Sequence, residues 1–100
     1  MEIKTEQNGD TLVVSLSGRL AVSEAKELNN MLGSSLDGIA ELIFDFAELS
    51  YVSSAGLRSL VIAQNTMEEA GGEMKLRHVQ PAVMDVLGIT GFSDFIEIED

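Results

Sequence analysis

The sequence predicts a single α/β domain over residues 1–100, built on a mixed, mostly parallel β-sheet with element order ββαβαβαβ. Three observations carry that expectation. Apolar residues recur alternately with a period of two and a period of three to four. Strand-like runs therefore alternate with helix-like ones, which implies parallel βαβ pairing. An Asn-Gly turn between the first two strand-like runs adds one antiparallel edge. No internal repeat or linker divides the 100 residues, a length that rarely supports two independent cores.

The alternation around Ile3 predicts a short strand, closed by Asn8-Gly9 and Asp10. Leu12, Val14 and Leu16 alternate with Thr11, Val13, Ser15 and Ser17, a second strand that Gly18 stops. From Val22 the spacing becomes three and four: Val22, Ala25, Leu28, Leu32 and Leu36 form one helical face. Ser23 is the expected N-cap, and Glu24 and Glu27 suit the positive end of the helix dipole. Gly33 and Gly38 bracket the decay of that helix into a loop. Leu42-Ile43-Phe44-Asp45-Phe46 reads as a central strand, apolar on both faces, followed by a connection through Ala47–Val52. A second helix carries Gly56, Leu60, Ala63, Met67 and Ala70 on one stripe and ends at Gly71-Gly72. Met74, Leu76 and His78 alternate as a strand, and Pro81 opens a third helix ended by Gly88. A last strand is expected over Phe95–Ile98.

Composition excludes several function classes. With 17 acidic and 6 basic side chains the formal net charge is -11, unsuited to nucleic acid or anionic lipid, both of which require clustered Lys and Arg. The absence of cysteine excludes disulfides, thiolate chemistry and Cys-based zinc sites, and a single histidine, His78, excludes multi-His metal sites. No basic-then-apolar leader opens the chain, and no apolar run approaches the roughly 18 residues of a membrane span, so a cytoplasmic domain without membrane insertion is expected.

The segment Tyr51–Arg58 is the most informative. Two serines stand between a strand and a helix whose first turn holds Ala55 and Gly56. Ser53 or Ser54 can cap the free backbone N–H groups there. The same groups, with the dipole behind them, would stabilise a phosphate on a serine at this position. A hydrolase elbow is not supported. Val52 stands where G-x-S-x-G needs its first glycine, and the sole candidate base, His78, shares a strand face with Met74 and Leu76 and reads as a packed histidine. The terminal carboxylates Asp94, Glu97, Glu99 and Asp100 match no calcium loop and read as a solvated edge. Arg58 in a first helical turn opposes the dipole, which points to a partner contact or a carboxylate neighbour.

The run Phe46-Ala47-Glu48-Leu49-Ser50-Tyr51-Val52-Ser53-Ser54-Ala55-Gly56-Leu57-Arg58 resembles the signature of STAS domains, in particular bacterial anti-sigma factor antagonists. In that family an acidic residue near a strand end precedes D-S-[ST]-G-L at a helix start. Gly18-Arg19-Leu20 is similar to the family's G-x-L after the second strand, and Gly71-Gly72-Glu73-Met74 to the segment before the fourth. Val79-Gln80-Pro81-Ala82-Val83 and Leu87-Gly88-Ile89-Thr90-Gly91-Phe92 look like the last helix and its exit. Ser53 stands where the family usually has Asp, Ala55 where it has a second Ser or Thr, and Ala21 where Asp often follows G-x-L.

The resemblance implies a STAS-like fold with helices packed largely on one side of the sheet, and a regulator rather than an enzyme, with no catalytic residue, cofactor or metal. It implies binding to an anti-sigma factor, commonly a serine kinase of the GHKL type. That kinase phosphorylates a motif serine to block binding, a PP2C-type phosphatase restores it, and sigma-factor-dependent transcription follows. By position the phospho-acceptor falls on Ser54, with Ser53 as the alternative. The partner-binding residues fall on Ser53, Ser54, Ala55, Gly56, Leu57, Arg58 and Ala21. A second reading, also implied by the resemblance, is an adaptor subunit of a transporter complex without a phosphorylation switch.

Overall fold

The computed structural model describes residues 1–99, the side chain of Ser34 excepted. Its elements are β1 (Glu2–Asn8), β2 (Thr11–Leu20), α1 (Val22–Ser35), β3 (Glu41–Val52), α2 (Ser54–Glu69), β4 (Glu73–Arg77), α3 (Pro81–Thr90) and β5 (Glu97–Glu99), with a single 3-10 turn over Phe92–Asp94. The five strands lie in chain order, β1-β2-β3-β4-β5. β1 and β2 are antiparallel and the other three pairings are parallel. The predicted order ββαβαβαβ and the mixed sheet are both found.

Strand order explains where the helices go. Each crossover, β2-α1-β3, β3-α2-β4 and β4-α3-β5, steps across the sheet in the same direction. Right-handed crossovers then place every helix on one face. The burial pattern agrees. Leu12, Val14, Leu16, Leu42, Phe44, Phe46, Met74 and Leu76 point to the helices and are buried. They meet Leu28 of α1, Leu60 and Met67 of α2, and Leu87 of α3, all essentially inaccessible to solvent. Phe44 and Phe46 sit with ring centroids 5.9 Å apart in a tilted arrangement. Because the strand order never reverses, the parallel sheet lacks the switch-point crevice in which α/β folds bind nucleotides.

Several boundaries differ from the sequence expectation, each for a physical reason. β3 does not end at Phe46 but continues to Val52. Ser15 pairs with Asp45 and Ser17 with Glu48, then Gly18 pairs with Leu49 and Arg19 with Tyr51, so β3 holds two bulges against β2. The bulges reset its phase, and Phe46, Leu49 and Val52 all face inward. α1 starts at Val22, one residue before the expected cap. Its N-cap is Ala21, and Ser23 lies inside the first turn, donating to Glu24 Oε2 at 3.1 Å. α3 runs past Gly88 to Thr90 and stops at Gly91, whose φ of 81° is the left-handed cap conformation. The last strand is shorter than expected, and Phe95 before it is exposed. His78 lies beyond β4 with φ 57°, and its side chain is exposed rather than packed beside Leu76.

One close approach ties the helices to the sheet. A Cβ on Gly56 would stand 2.8 Å from both Leu20 Cγ and Leu20 O, so the first turn of α2 rests directly on the end of β2. Gly56→Ala is expected to lose about 1–3 kcal/mol in urea unfolding, because backbone must move to relieve the overlap. A Cβ on Gly33, inside α1, would meet nothing within 4 Å, and Gly33→Ala should be neutral or stabilising by up to about 1 kcal/mol. Equal effects of the two substitutions would show that the Gly56 contact is slack.

Candidate functional site

β2 ends at Leu20 and β3 at Val52, and these two residues are register partners. Each strand runs within two residues into a helix, so α1 and α2 start side by side at the same end of the sheet. The Ser53 N–H donates to Leu20 O at 2.9 Å and fastens the two strand exits together. Ser53 is extended (φ -87°, ψ 174°), and its Oγ accepts the Gly56 N–H at 3.2 Å. Ser53 is therefore the N-cap. Ser54, the first residue of α2, is exposed, and its hydroxyl makes no hydrogen bond among the described residues. The structure thus separates two hydroxyls that spacing alone leaves equivalent as caps.

The rest of the motif divides by helical position. Gly56 and Leu57 are buried, Ala55 is half-buried and Arg58 is exposed. Arg58 has no carboxylate within 4.0 Å among the described residues, so of its two expected neighbours the carboxylate is not found. Ala21 precedes the same pole from the β2 side. Its N–H donates to Glu24 Oε1 at 3.2 Å, and an alanine has no side-chain oxygen to return the second half of a capping box. The hydrogen bonds of Glu24 with its own backbone N–H, the Ser23 hydroxyl and the Ala21 N–H hold its carboxyl below the usual range against a smaller opposing effect of burial.

Between the two helices lies an open depression of about 280 Å³ lined by Val22, Ala25, Lys26, Asn29, Ser54, Ala55 and Arg58. Ser54 and Arg58 belong to the motif, whereas Val22, Lys26 and Asn29 come from α1 and carry no sequence signal for this place. Ser59 holds the helices together below it. Buried among apolar neighbours, its Oγ donates to Ala25 O at 3.4 Å, with Ala55 O at 3.3 Å as the alternative acceptor. At the same end of the domain Arg19 stacks over the Tyr51 ring, 4.1 Å from its centroid. No histidine lines the depression.

His78 instead belongs to a cluster on the open face of the sheet. Asp45 Oδ2 accepts from Arg77 Nε at 3.1 Å, and His78 Nδ1 lies 3.2 Å from both Asp45 oxygens. Asp45 Oδ1 accepts the Ala47 N–H at 3.0 Å, a donor in the bulged stretch of β3. Gln80 Nε2 donates to Ala47 O at 2.7 Å, closing the β4–α3 connection onto the same bulge. On the edge of that face Glu99 pairs with Lys75 at 2.9 Å, so this terminal carboxylate is partnered; Asp100 lies outside the described residues. Among the described residues no group of three or more His, Asp or Glu is placed to hold a metal, and no helix is long and apolar enough to cross a membrane.

The STAS domain model matches residues 2–100. The chain belongs to the STAS domain family. A Bordetella bronchiseptica protein named as an anti-sigma factor antagonist, BtrV, is 29% identical over 93 residues, 92% of this chain and 80% of that protein. The Bacillus cell fate determinant SpoIIAA in its phosphorylated form superposes with a TM-score of 0.78 at 18% identity, over 99% of this chain and 92% of SpoIIAA. A sulfate transporter family protein from Wolinella succinogenes gives a TM-score of 0.80 at 16% identity, over 89% of this chain and 75% of that one. At these identities the two structures share the STAS fold with this chain, whatever they bind.

The Asp45 cluster yields a pH dependence. Burial pushes the Asp45 carboxyl up, but the Ala47 N–H, Arg77 and His78 together hold it below the usual carboxylate range. A depressed carboxylate contributes stability that is complete above its unfolded pKa of about 4 and is lost as pH falls through the lower folded value. Asp45→Asn should therefore cost about 1–2 kcal/mol at neutral pH. Denaturant melts across pH should show that difference closing in acid; a gap that persists below the folded pKa would assign it to packing instead.

Proposed function

We propose that this STAS domain is an anti-sigma factor antagonist that binds a cognate anti-sigma factor through the α1–α2 pole and is released by phosphorylation of Ser54. The carrying observation is the division of labour between the two serines: Ser53 Oγ is engaged by the Gly56 N–H, whereas Ser54 is exposed and unengaged on the first residue of α2. The likeness to an anti-sigma factor antagonist supports the partner class. In this reading the partner is itself a GHKL-type serine kinase, a PP2C-type phosphatase reverses the mark, and Ser53, Ala55, Gly56, Leu57, Arg58 and Ala21 build the contact around Ser54.

The energetics favour a switch at the interface rather than unfolding. A phosphate on Ser54 adds about -1.5 to -2 charge at the positive end of α2, a position the helix dipole tolerates. The same charge buried against a partner without a matching cation costs several kcal/mol, enough to abolish a micromolar contact worth about 8 kcal/mol in practice. The fold likeness to a sulfate transporter family protein keeps one other reading in view, an adaptor in a transporter complex. Activity there would be indifferent to Ser54.

Ser54→Asp should keep the far-UV spectrum and lose the partner in pull-downs, while Ser54→Ala should bind constitutively. Ser53→Ala should lose about 1 kcal/mol of stability with its cap, yet still be phosphorylated at residue 54. Mass spectrometry after incubation with the co-purified kinase and ATP reads the acceptor directly. Phosphate on Ser53, or undiminished binding by Ser54→Asp, would overturn this assignment.

A further inference from the structure

The overall charge of -11 leads one to expect a basic partner, but the charges are sorted in space. Of the 6 basic residues, Lys4, Lys75 and Arg77 are paired with Glu2, with Glu41 and Glu99, and with Asp45. These pairs occupy the sheet face that the helices leave open. The other three, Arg19, Lys26 and Arg58, lie at the α1–α2 pole, and none has a carboxylate within 4.0 Å among the described residues. Lys26 and Arg58 stand on opposite walls of the depression that holds Ser54. A second, smaller depression continues between the helices from Asn29 to Ile62. No Asp or Glu lines either one. Glu24, in the first turn of α1, is turned back onto the Ala21 N–H.

Each wall also exposes one large apolar side chain beside its polar ones. Val22, Lys26 and Asn29 recur along α1, and Ser54, Arg58 and Ile62 along α2, with Val22 61% and Ile62 49% exposed. Such a groove receives the apolar stripe of a helix between its walls. Contact charges act within a Debye length of about 8–10 Å, which takes in Glu24 and Glu27 of α1 outside the groove lining, whereas carboxylates on the far sheet face are largely screened. Local charge therefore decides the match.

We propose that the α1–α2 groove docks an acidic amphipathic helix of the partner, with Lys26 and Arg58 receiving its carboxylates. This rests on the Ser54 reading and deepens it. Ser54 and Arg58 are one turn apart on α2, about 5–6 Å between Cβ atoms. A phosphate on Ser54 stands among the cations that hold the acidic helix, and its charge of about -1.5 to -2 cancels the two positive charges of Lys26 and Arg58. One modification then occupies the recognition groups and repels the ligand.

The test is an NMR titration of the ¹⁵N-labelled chain with two synthetic amphipathic helical peptides. They share one apolar stripe and differ only in a polar face of Glu or of Lys. The Glu peptide should shift the amides of Val22, Lys26, Asn29, Ser54, Arg58 and Ile62. Lys26→Glu with Arg58→Glu should weaken it about tenfold or more without changing the circular dichroism, since both side chains are exposed. The Lys peptide should leave those amides in place. Groove shifts with the Lys peptide, or none with the Glu peptide, would overturn the acidic-partner assignment and leave phosphorylation of Ser54 standing. If Ser54→Glu binds the Glu peptide as tightly as the unaltered chain, the groove is upheld and the switch reading falls.

Discussion

The rest of the structure depends on the seat of α2 on the end of β2. Gly56 lies against Leu20 where no Cβ fits, and the Ser53 N–H reaches the carbonyl of the same leucine. Leu20 is fully buried, so its side chain fixes the depth of both elements at once. From this contact follow the short exits of β2 and β3, the side-by-side starts of α1 and α2, and the outward direction of Ser54. A larger residue at position 56 would lift the helix and with it the groove. The glycine of the motif is thus a packing requirement. The exposed serine two residues earlier is free of any such duty, which leaves it available for chemistry.

A one-way strand order has a second consequence. It gathers the helices on one face and leaves the other as a ladder of side chains from β1 to β5. Lys4, Ser15, Asp45, Arg77 and Glu99 fall in one register row across that face, so charges of opposite sign meet as sheet neighbours. Asp45 and Arg77 pair within the row, Lys4 and Glu99 pair with Glu2 and Lys75 on the same face, and Asp45 adds the Ala47 N–H of the bulge. What remains unpaired among the cations is displaced to the helix pole. Two surfaces of different character follow from a single topological rule.

The sequence is informative where periodicity is unbroken and where a residue type answers a backbone need. Leu12, Val14 and Leu16, the stripe from Gly56 to Met67, and Pro81 at the first turn of α3 all lie where their spacing or chemistry predicts. Periodicity alone ends β3 too early, because its bulges turn a period of two into a period of three at Phe46, Leu49 and Val52. Ser23 beside Glu24 has the look of a cap, but α1 starts one residue earlier, with Ala21 in the N-cap position. The alternation through Met74 and Leu76 fails at His78, where positive φ turns the chain out to Asp45. Most of all, a linear motif shows one wall of a groove. Val22, Lys26 and Asn29 supply the other, and only the pairing of β2 with β3 brings them there.

Two departures from the resembled family pattern bear on the same point. Ser53 stands where the pattern has Asp before the phospho-acceptor, and Ala21 where Asp often follows G-x-L. In the fold these positions are the N-caps of the two adjacent helices, α2 and α1. Each replacement removes a carboxylate from the pole that also holds Arg19, Lys26 and Arg58. Ser53 keeps its capping duty without the charge, accepting from Gly56, whereas Ala21 supplies no side-chain cap and only its own N–H is served, by the Glu24 carboxylate within α1. The start of α2 therefore keeps its side-chain cap while the groove, whose lining holds no Asp or Glu, has no carboxylate at either N-cap. Stability alone gives no reason for this, since Ser caps about as well as Asp and Ala caps much worse. Recognition of an acidic surface, as proposed for the groove, does give one.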